Sequence, residues 1–189
     1  MDPEHETSDD PATALFRELG NRDTLDLATW ERYLGAFDRH GAHLYRLALL
    51  LFHGNRQDAE DVVRELFLAA HAPWRDGRID DLGAYLRASL VNRVSSEGRH
   101  RSVGERFVRR KRADEHSLRL LDDVAADRLT LQAALDRLPP RQRLAVVLRY
   151  YEGLSVRETA EMLGVREGTV ESQVFDALRS LRSALEVAS

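Results

Sequence analysis

The chain has 189 residues, 28 basic and 32 acidic side chains and a formal charge of −4. It contains no cysteine, which excludes disulfides, thiolate metal sites and cysteine nucleophiles. Its longest apolar run, Leu47 to Phe52, falls far below the roughly 18 residues of a membrane span, and residues 1–10 lack the order of a signal peptide, so no membrane insertion and a cytoplasmic location are expected.

Charge is spread unevenly. Residues 1–40 carry ten acids against four arginines, a net of −6, whereas residues 87–112 carry nine bases against two acids, a net of +7. Helical periodicity dominates the pattern, and no alternating strand is found. An all-α protein of two small helical domains is therefore expected. The acidic extension 1–25 and the basic stretch 99–126 are read as flexible, the latter linking a first module, 26–98, to a second, 127–189.

The first helical block spans about Leu25 to His53, with breaks expected at Gly41 and at Gly54-Asn55. The next, from Gln57 to His71, places Ala59, Val62, Val63, Leu66 and Ala70 on one face and is expected to end at Pro73. A loop then runs from Pro73 to Asp81. Asp80 or Asp81 caps a third helix that carries Leu82, Leu86 and Leu90 inward. On the same helix Tyr85, Ser89, Asn92, Ser96 and Arg99 fall at i, i+4, i+7, i+11 and i+14, with Arg93 beside Asn92. An aromatic ring, hydroxyls, an amide and arginine on one line suit single-stranded DNA: the ring stacks, the amide reads a base edge and arginine holds phosphate. Arg101 and the basic run Arg106, Arg109, Arg110, Lys111 and Arg112 follow as a phosphate track.

In the second module, Leu131, Ala134, Leu135 and Leu138 mark one helix, closed by Pro139-Pro140. Leu144, Val147, Leu148 and Tyr151 mark another. Ser155 caps a short helix with Val156, Ala160 and Leu163, Gly164 turns the chain, and Val170, Val174, Leu178, Leu181 and Leu185 line the last helix. The small Ala160, the glycine turn and the cap together read as a helix-turn-helix. Its outward face carries Glu171, Ser172, Phe175, Asp176 and Arg179, preceded by Arg166 and Thr169. From Ser155 to Glu186 six acids oppose four bases. Because phosphate neutralisation supplies much of DNA affinity, this helix is expected to bind weakly alone; Arg141 and Arg143 are candidates to hold the backbone.

Several blocks carry a family resemblance. Leu138-Pro-Pro-Arg-Gln-Arg143, Tyr150-Tyr-Glu-Gly-Leu-Ser155, Glu158-Thr-Ala160 and Gly168-Thr-Val170 resemble region 4 of the sigma-70 family. Asp58-Ala-Glu-Asp-Val-Val-Arg-Glu-Leu-Phe67 resembles the signature of sigma region 2, and Ala84 to Arg93, with its Leu-Val-Asn, resembles regions 2.3 and 2.4. Together they cover Trp30 to Leu185 and look most like the two-domain extracytoplasmic-function (ECF) sigma factors of actinobacteria. The resemblance implies a protein that binds core RNA polymerase, through the largest-subunit clamp and the flap, and directs promoter-specific initiation. Asp58, Asp61, Arg64, Glu65 and Leu68 would meet the clamp. Tyr85, Ser89, Asn92, Arg93, Ser96, Arg99 and Arg101 would open and read the −10 element. Arg141, Arg143, Arg166, Thr169, Glu171, Ser172, Phe175 and Arg179 would serve the −35 element. An anti-sigma factor is the implied regulator.

The departures Arg64, Glu171, Phe175 and Asp176 keep a second reading open, a sigma-like protein acting mainly through protein contacts. A free-standing helix-turn-helix regulator leaves the first module unexplained. No enzymatic constellation is found: the seven histidines show no metal-protease spacing, and there is no phosphate-cradling glycine loop. No catalytic residue, metal or cofactor is expected.

Overall fold

The computed structural model describes residues 27–101 and 123–186, with side chains described over 31–96 and 130–186. The expectations for the acidic extension and for Arg106 to Arg112 lie outside the described residues, as do the side chains of Arg99 and Arg101. The described residues form seven helices and no strand.

Helix α1, Leu27–Leu51, passes through Gly41 without the expected break. A helical glycine costs about 1 kcal/mol, and burial outweighs it: Tyr33, Ala36, Leu44, Leu47, Ala48 and Leu51 form one sealed stripe on both sides of Gly41. Gly41 itself lies against the Phe37 ring. The chain leaves α1 through His53 and Gly54, both at positive φ. Asn55 then accepts the Asp58 N–H at 3.2 Å and caps α2, Arg56–Arg75.

Helix α2 buries Ala59, Val62, Val63, Phe67, Ala70 and His71, while Leu66 is only half-buried. It does not stop before Pro73, which sits inside its last turn. A proline there removes a single donor, and Trp74 beyond it holds the turn against Tyr33, with ring centroids 5.1 Å apart. The connecting segment is therefore 76–81, shorter than expected. Tyr33 centres this module. Its hydroxyl donates to the Phe67 carbonyl, its ring meets Phe67, His71 and Trp74, and burial pushes its phenol pKa up.

Helix α3, Leu82–Arg101, starts as expected: the Asp81 carboxylate accepts the Ala84 N–H at 2.9 Å. Leu82, Leu86 and Leu90 face inward. A Cβ on Gly83 would stand 2.9 Å from the His40 ring, so α1 and α3 approach closely only because that side chain is missing.

The second module contains α4 (Asp123–Asp136), α5 (Pro140–Tyr150), α6 (Val156–Leu163) and α7 (Glu167–Glu186). The end of α3 and the start of α4 thus enter the stretch 99–126, expected to be a linker. Ala134, Leu135 and Leu138 are buried, but Leu131 is 44% exposed, against expectation. Pro140 occupies the first position of α5, where its missing N–H costs nothing. In α7 the inward line runs through Val170, Ala177 and Leu181; Leu178 lies about 80° off it and is 40% exposed.

Helix α5 buries six consecutive residues, Arg143 to Leu148. A helix packed on one side leaves an outward face, so a run this long means cover on several sides. Helices α6 and α7 supply it within the second module, and α1 and α3 supply it from the first. A single apolar cluster joins the two modules.

Candidate nucleic-acid interface

Helix α2 turns Asp61, Arg64 and Glu65 away from its sealed stripe, while Leu68 packs partly against the core. Glu65 is exposed and the other three are half-buried. The charges on this face are already partly paired. Arg64 lies 3.7 Å from Asp61, which also accepts from Gln57 at 3.1 Å. Glu65 meets Arg93 of α3 at 3.0 Å, so the structure brings residues of two expected sites into one ion pair. Asp58 is half-buried in the first turn, its N–H held by Asn55.

The polar stripe of α3 faces water. Tyr85 is 40% exposed, Asn92 and Arg93 are exposed, and Ser89 and Ser96 are half-buried. Trp74, at the end of α2, combines two roles: its ring packs on Tyr33, and the Arg32 guanidinium lies 5.4 Å from its centroid.

The helix-turn-helix is built from local chemistry. The Ser155 hydroxyl accepts the Glu158 N–H at 3.1 Å, and the Glu158 carboxylate returns to the Ser155 N–H at 2.7 Å. Those hydrogen bonds hold the Glu158 pKa below its ordinary value. Gly164 ends α6 at φ 63°, a left-handed conformation suited to glycine. On α7, Glu171 and Ser172 are exposed, Thr169 is half-buried, and Phe175 is 66% exposed. The Ser172 hydroxyl donates to the Thr169 carbonyl at 3.0 Å. Arg179 reaches Asp176 at 3.1 Å and lies 5.8 Å from the Phe175 ring centroid, so much of its charge is used on its own helix. Arg141 and Arg166 are exposed.

Arg143 is not presented to DNA in this conformation, a correction to the expected backbone contact. It is 3% exposed, and burial pulls its pKa down. Its guanidinium donates to the carbonyls of Leu135, Asp136 and Leu138, closing the end of α4, and to the Leu51 carbonyl of α1, all within 3.0–3.2 Å. Arginine's planar fork suits several fixed acceptors at once.

Residues 128–181 match the family described as Sigma-70, region 4. ECF RNA polymerase sigma factor SigE of Mycolicibacterium smegmatis is 34% identical over 189 residues, covering 95% of this chain and 70% of that protein. The chain belongs to the ECF RNA polymerase sigma factors. SigM of Mycobacterium tuberculosis, of the same family, is 36% identical over 159 residues, with 79% and 74% covered. The fold is shared with the sigma factor RpoE of Bartonella quintana, solved in complex with the anti-sigma factor NepR: TM-score 0.58, 22% identity, 84% of this chain and 99% of that one.

Sequence reasoning missed the polar side chains of this ECF factor that link its modules. Glu152 lies within the Tyr150–Ser155 block, where the pattern marks only a helix end, yet its side chain is 2% exposed and meets His43 of α1 at 2.7 Å. Arg87 of α3 stands 3.7 Å from its other oxygen. A carboxylate beside the glycine that ends a helix was the available signal; its partners, 109 residues away in one case, were not.

Proposed function

We propose that this ECF factor directs initiation through three surfaces, with 26–98 serving as the region 2 module and 127–189 as the region 4 module. Asp58, Asp61, Arg64, Glu65 and Leu68 of α2 dock on the polymerase clamp. Tyr85, Ser89, Asn92, Arg93 and Ser96 of α3, continued by Arg99 and Arg101, hold the −10 strand. The outward face of α7, with Arg141 and Arg166, approaches the −35 element. The observation that carries this reading is the exposed Tyr85 ring and Asn92 amide on α3, lying beside the sealed stripe of Leu82, Leu86 and Leu90 and turned toward solvent where bases can reach them. The protein performs no chemistry of its own and works in the cytoplasm; no described helix is long and apolar enough to cross a membrane. An anti-sigma factor is its expected regulator, by analogy with the complex of the Bartonella protein.

Run-off transcription with core polymerase on a genomic promoter library tests the reading, with promoter-specific transcripts expected. Within that assay Asn92→Ala should weaken initiation and relax the −10 preference; unchanged preference would remove Asn92 from the site.

A second reading has one observation in its favour. An exposed Phe175 beside the Asp176–Arg179 pair suits a protein surface better than a phosphate backbone. Core binding without initiation would select it.

A further inference from the structure

Helix α7 carries an outward line that is separate from its seat in the second module. Glu171, Phe175, Leu178 and Arg182 follow one another at steps of four, three and four residues, which places them within about 60° of one line along the helix. All four are exposed. Phe175, at 66%, is the most exposed large apolar side chain among the described residues, and Leu178 beside it is 40% exposed. Val170, Ala177 and Leu181 on the opposite side are buried, so α7 is seated without Phe175. An apolar pair with an acid at one end and a base at the other has the make-up of a contact surface, an apolar centre with a charged rim.

The order of these four residues selects the occupant. The line holds one acid and one base, so neither a uniformly basic nor a uniformly acidic partner satisfies both ends. A copy of the line does. Its steps read the same in both directions, and they are the steps by which one helix presents a continuous seam to another. When a second α7 lies antiparallel across a two-fold axis, Phe175 packs on the partner subunit's Leu178, and Glu171 meets the partner subunit's Arg182. Each contact then occurs twice, as a two-fold interface requires. A parallel copy would set Glu171 and Arg182 each against its own kind. An antiparallel copy centred on Phe175 would set Leu178 against a serine and waste half the apolar pair. Arg179 stays on Asp176 at the rim, 3.1 Å away. The seam spans about 16 Å of helix, and one such pair buries less than the roughly 1,200 Å² of a stable complex, so association is weak and depends on concentration.

We infer that α7 is a homodimerisation surface, on which two copies of this chain pair antiparallel through Glu171, Phe175, Leu178 and Arg182. The pairing rests on the exposed line and its symmetry alone. One consequence rests on the function proposed above: where α7 approaches the −35 element, the same face serves both contacts, and a second copy excludes the duplex.

Sedimentation of the full-length protein over a concentration series reads the association, with wild type passing from monomer to dimer as concentration rises. Phe175→Ala should abolish the dimer. Glu171→Arg alone, or Arg182→Glu alone, sets like charges opposite each other twice and should raise the dissociation constant about tenfold or more. Mixing these two single variants restores both pairs, because every arginine of one chain faces an acid of the other. The double variant restores them within one sequence. Both should return the dissociation constant to within about threefold of wild type. The substituted side chains are exposed, so the fold is kept, which far-UV circular dichroism checks. A wild type that stays monomeric overturns the inference and leaves the face to duplex or to a different protein. Dimers that survive Phe175→Ala or either single charge reversal put the contact elsewhere, and a mixture that fails to recover rules out the antiparallel seam; each result overturns it. These readouts contain no DNA and no polymerase, so they are decided apart from the transcription assay.

Discussion

Arg143 shows how a side chain expected at one surface is recruited to another task. Its guanidinium donates four hydrogen bonds to four carbonyls, three at the end of α4 and one at the end of α1. Lysine offers a point charge on a flexible stem and cannot span that set. Arg143→Lys should therefore lower unfolding free energy by about 3 kcal/mol, the scale of leaving buried carbonyls without donors. Urea denaturation should show a lower midpoint, whereas Arg141→Lys at an exposed neighbouring position should leave it nearly unchanged. The pattern of the sequence could not separate the two arginines. They stand two apart in one motif, and only the packing of α5 shows which of them points into the interface.

Helices and their ends were largely legible, because their causes are local. Asp81, Ser155 and Gly164 each act within four residues, and all three stand where spacing put them; Pro140, expected to close α4, instead opens α5. Errors arose where a distant partner overrode a local rule. Gly41 does not break α1 because burial on both sides carries the helix through it, and Pro73 does not stop α2 because Trp74 anchors the turn beyond. Leu131 and Leu178 share the composition of core residues but sit at the edge of their stripes. Two predictions belong to this scale. Ser155→Ala removes the cap of α6 and should cost about 1 kcal/mol, read as a lower thermal midpoint. The contribution of Glu158 depends on pH in a definite direction: its pKa is depressed in the folded state, so its stabilisation is complete above the ordinary carboxylate range and lost as pH falls through the folded-state value. The melting difference between wild type and Ser155→Ala should therefore shrink on acidification. On α7, Glu171→Lys with Asp176→Arg should tighten binding to −35 duplex and steepen its salt dependence, by about 0.9 in the logarithmic slope for each phosphate newly contacted. Fluorescence anisotropy across a salt series measures both.

At the scale of the whole molecule, the candidate site was legible as separate stripes and not as an assembly. Periodicity identified the exposed line from Tyr85 to Asn92 and the outward face of α7. It could not place Arg93 on Glu65, or His43 on Glu152, because such pairings depend on how helices far apart in sequence cross. One apolar cluster spanning both modules also implies joint unfolding. Both tryptophans, Trp30 and Trp74, belong to the first module, so their fluorescence reports on it alone, whereas far-UV circular dichroism sums all helices. The two signals should give coincident denaturation curves in the wild type; separate midpoints would mean that the modules unfold independently.

The continuous burial of α5 has a consequence for the life of the free protein. When α1 and α3 withdraw from it, one flank of that helix meets water, and an apolar strip sealed on folding becomes sticky. A chain whose modules had parted would expose that strip to self-association and to proteases. Packing of α1 and α3 on α5 keeps that strip covered in the folded chain.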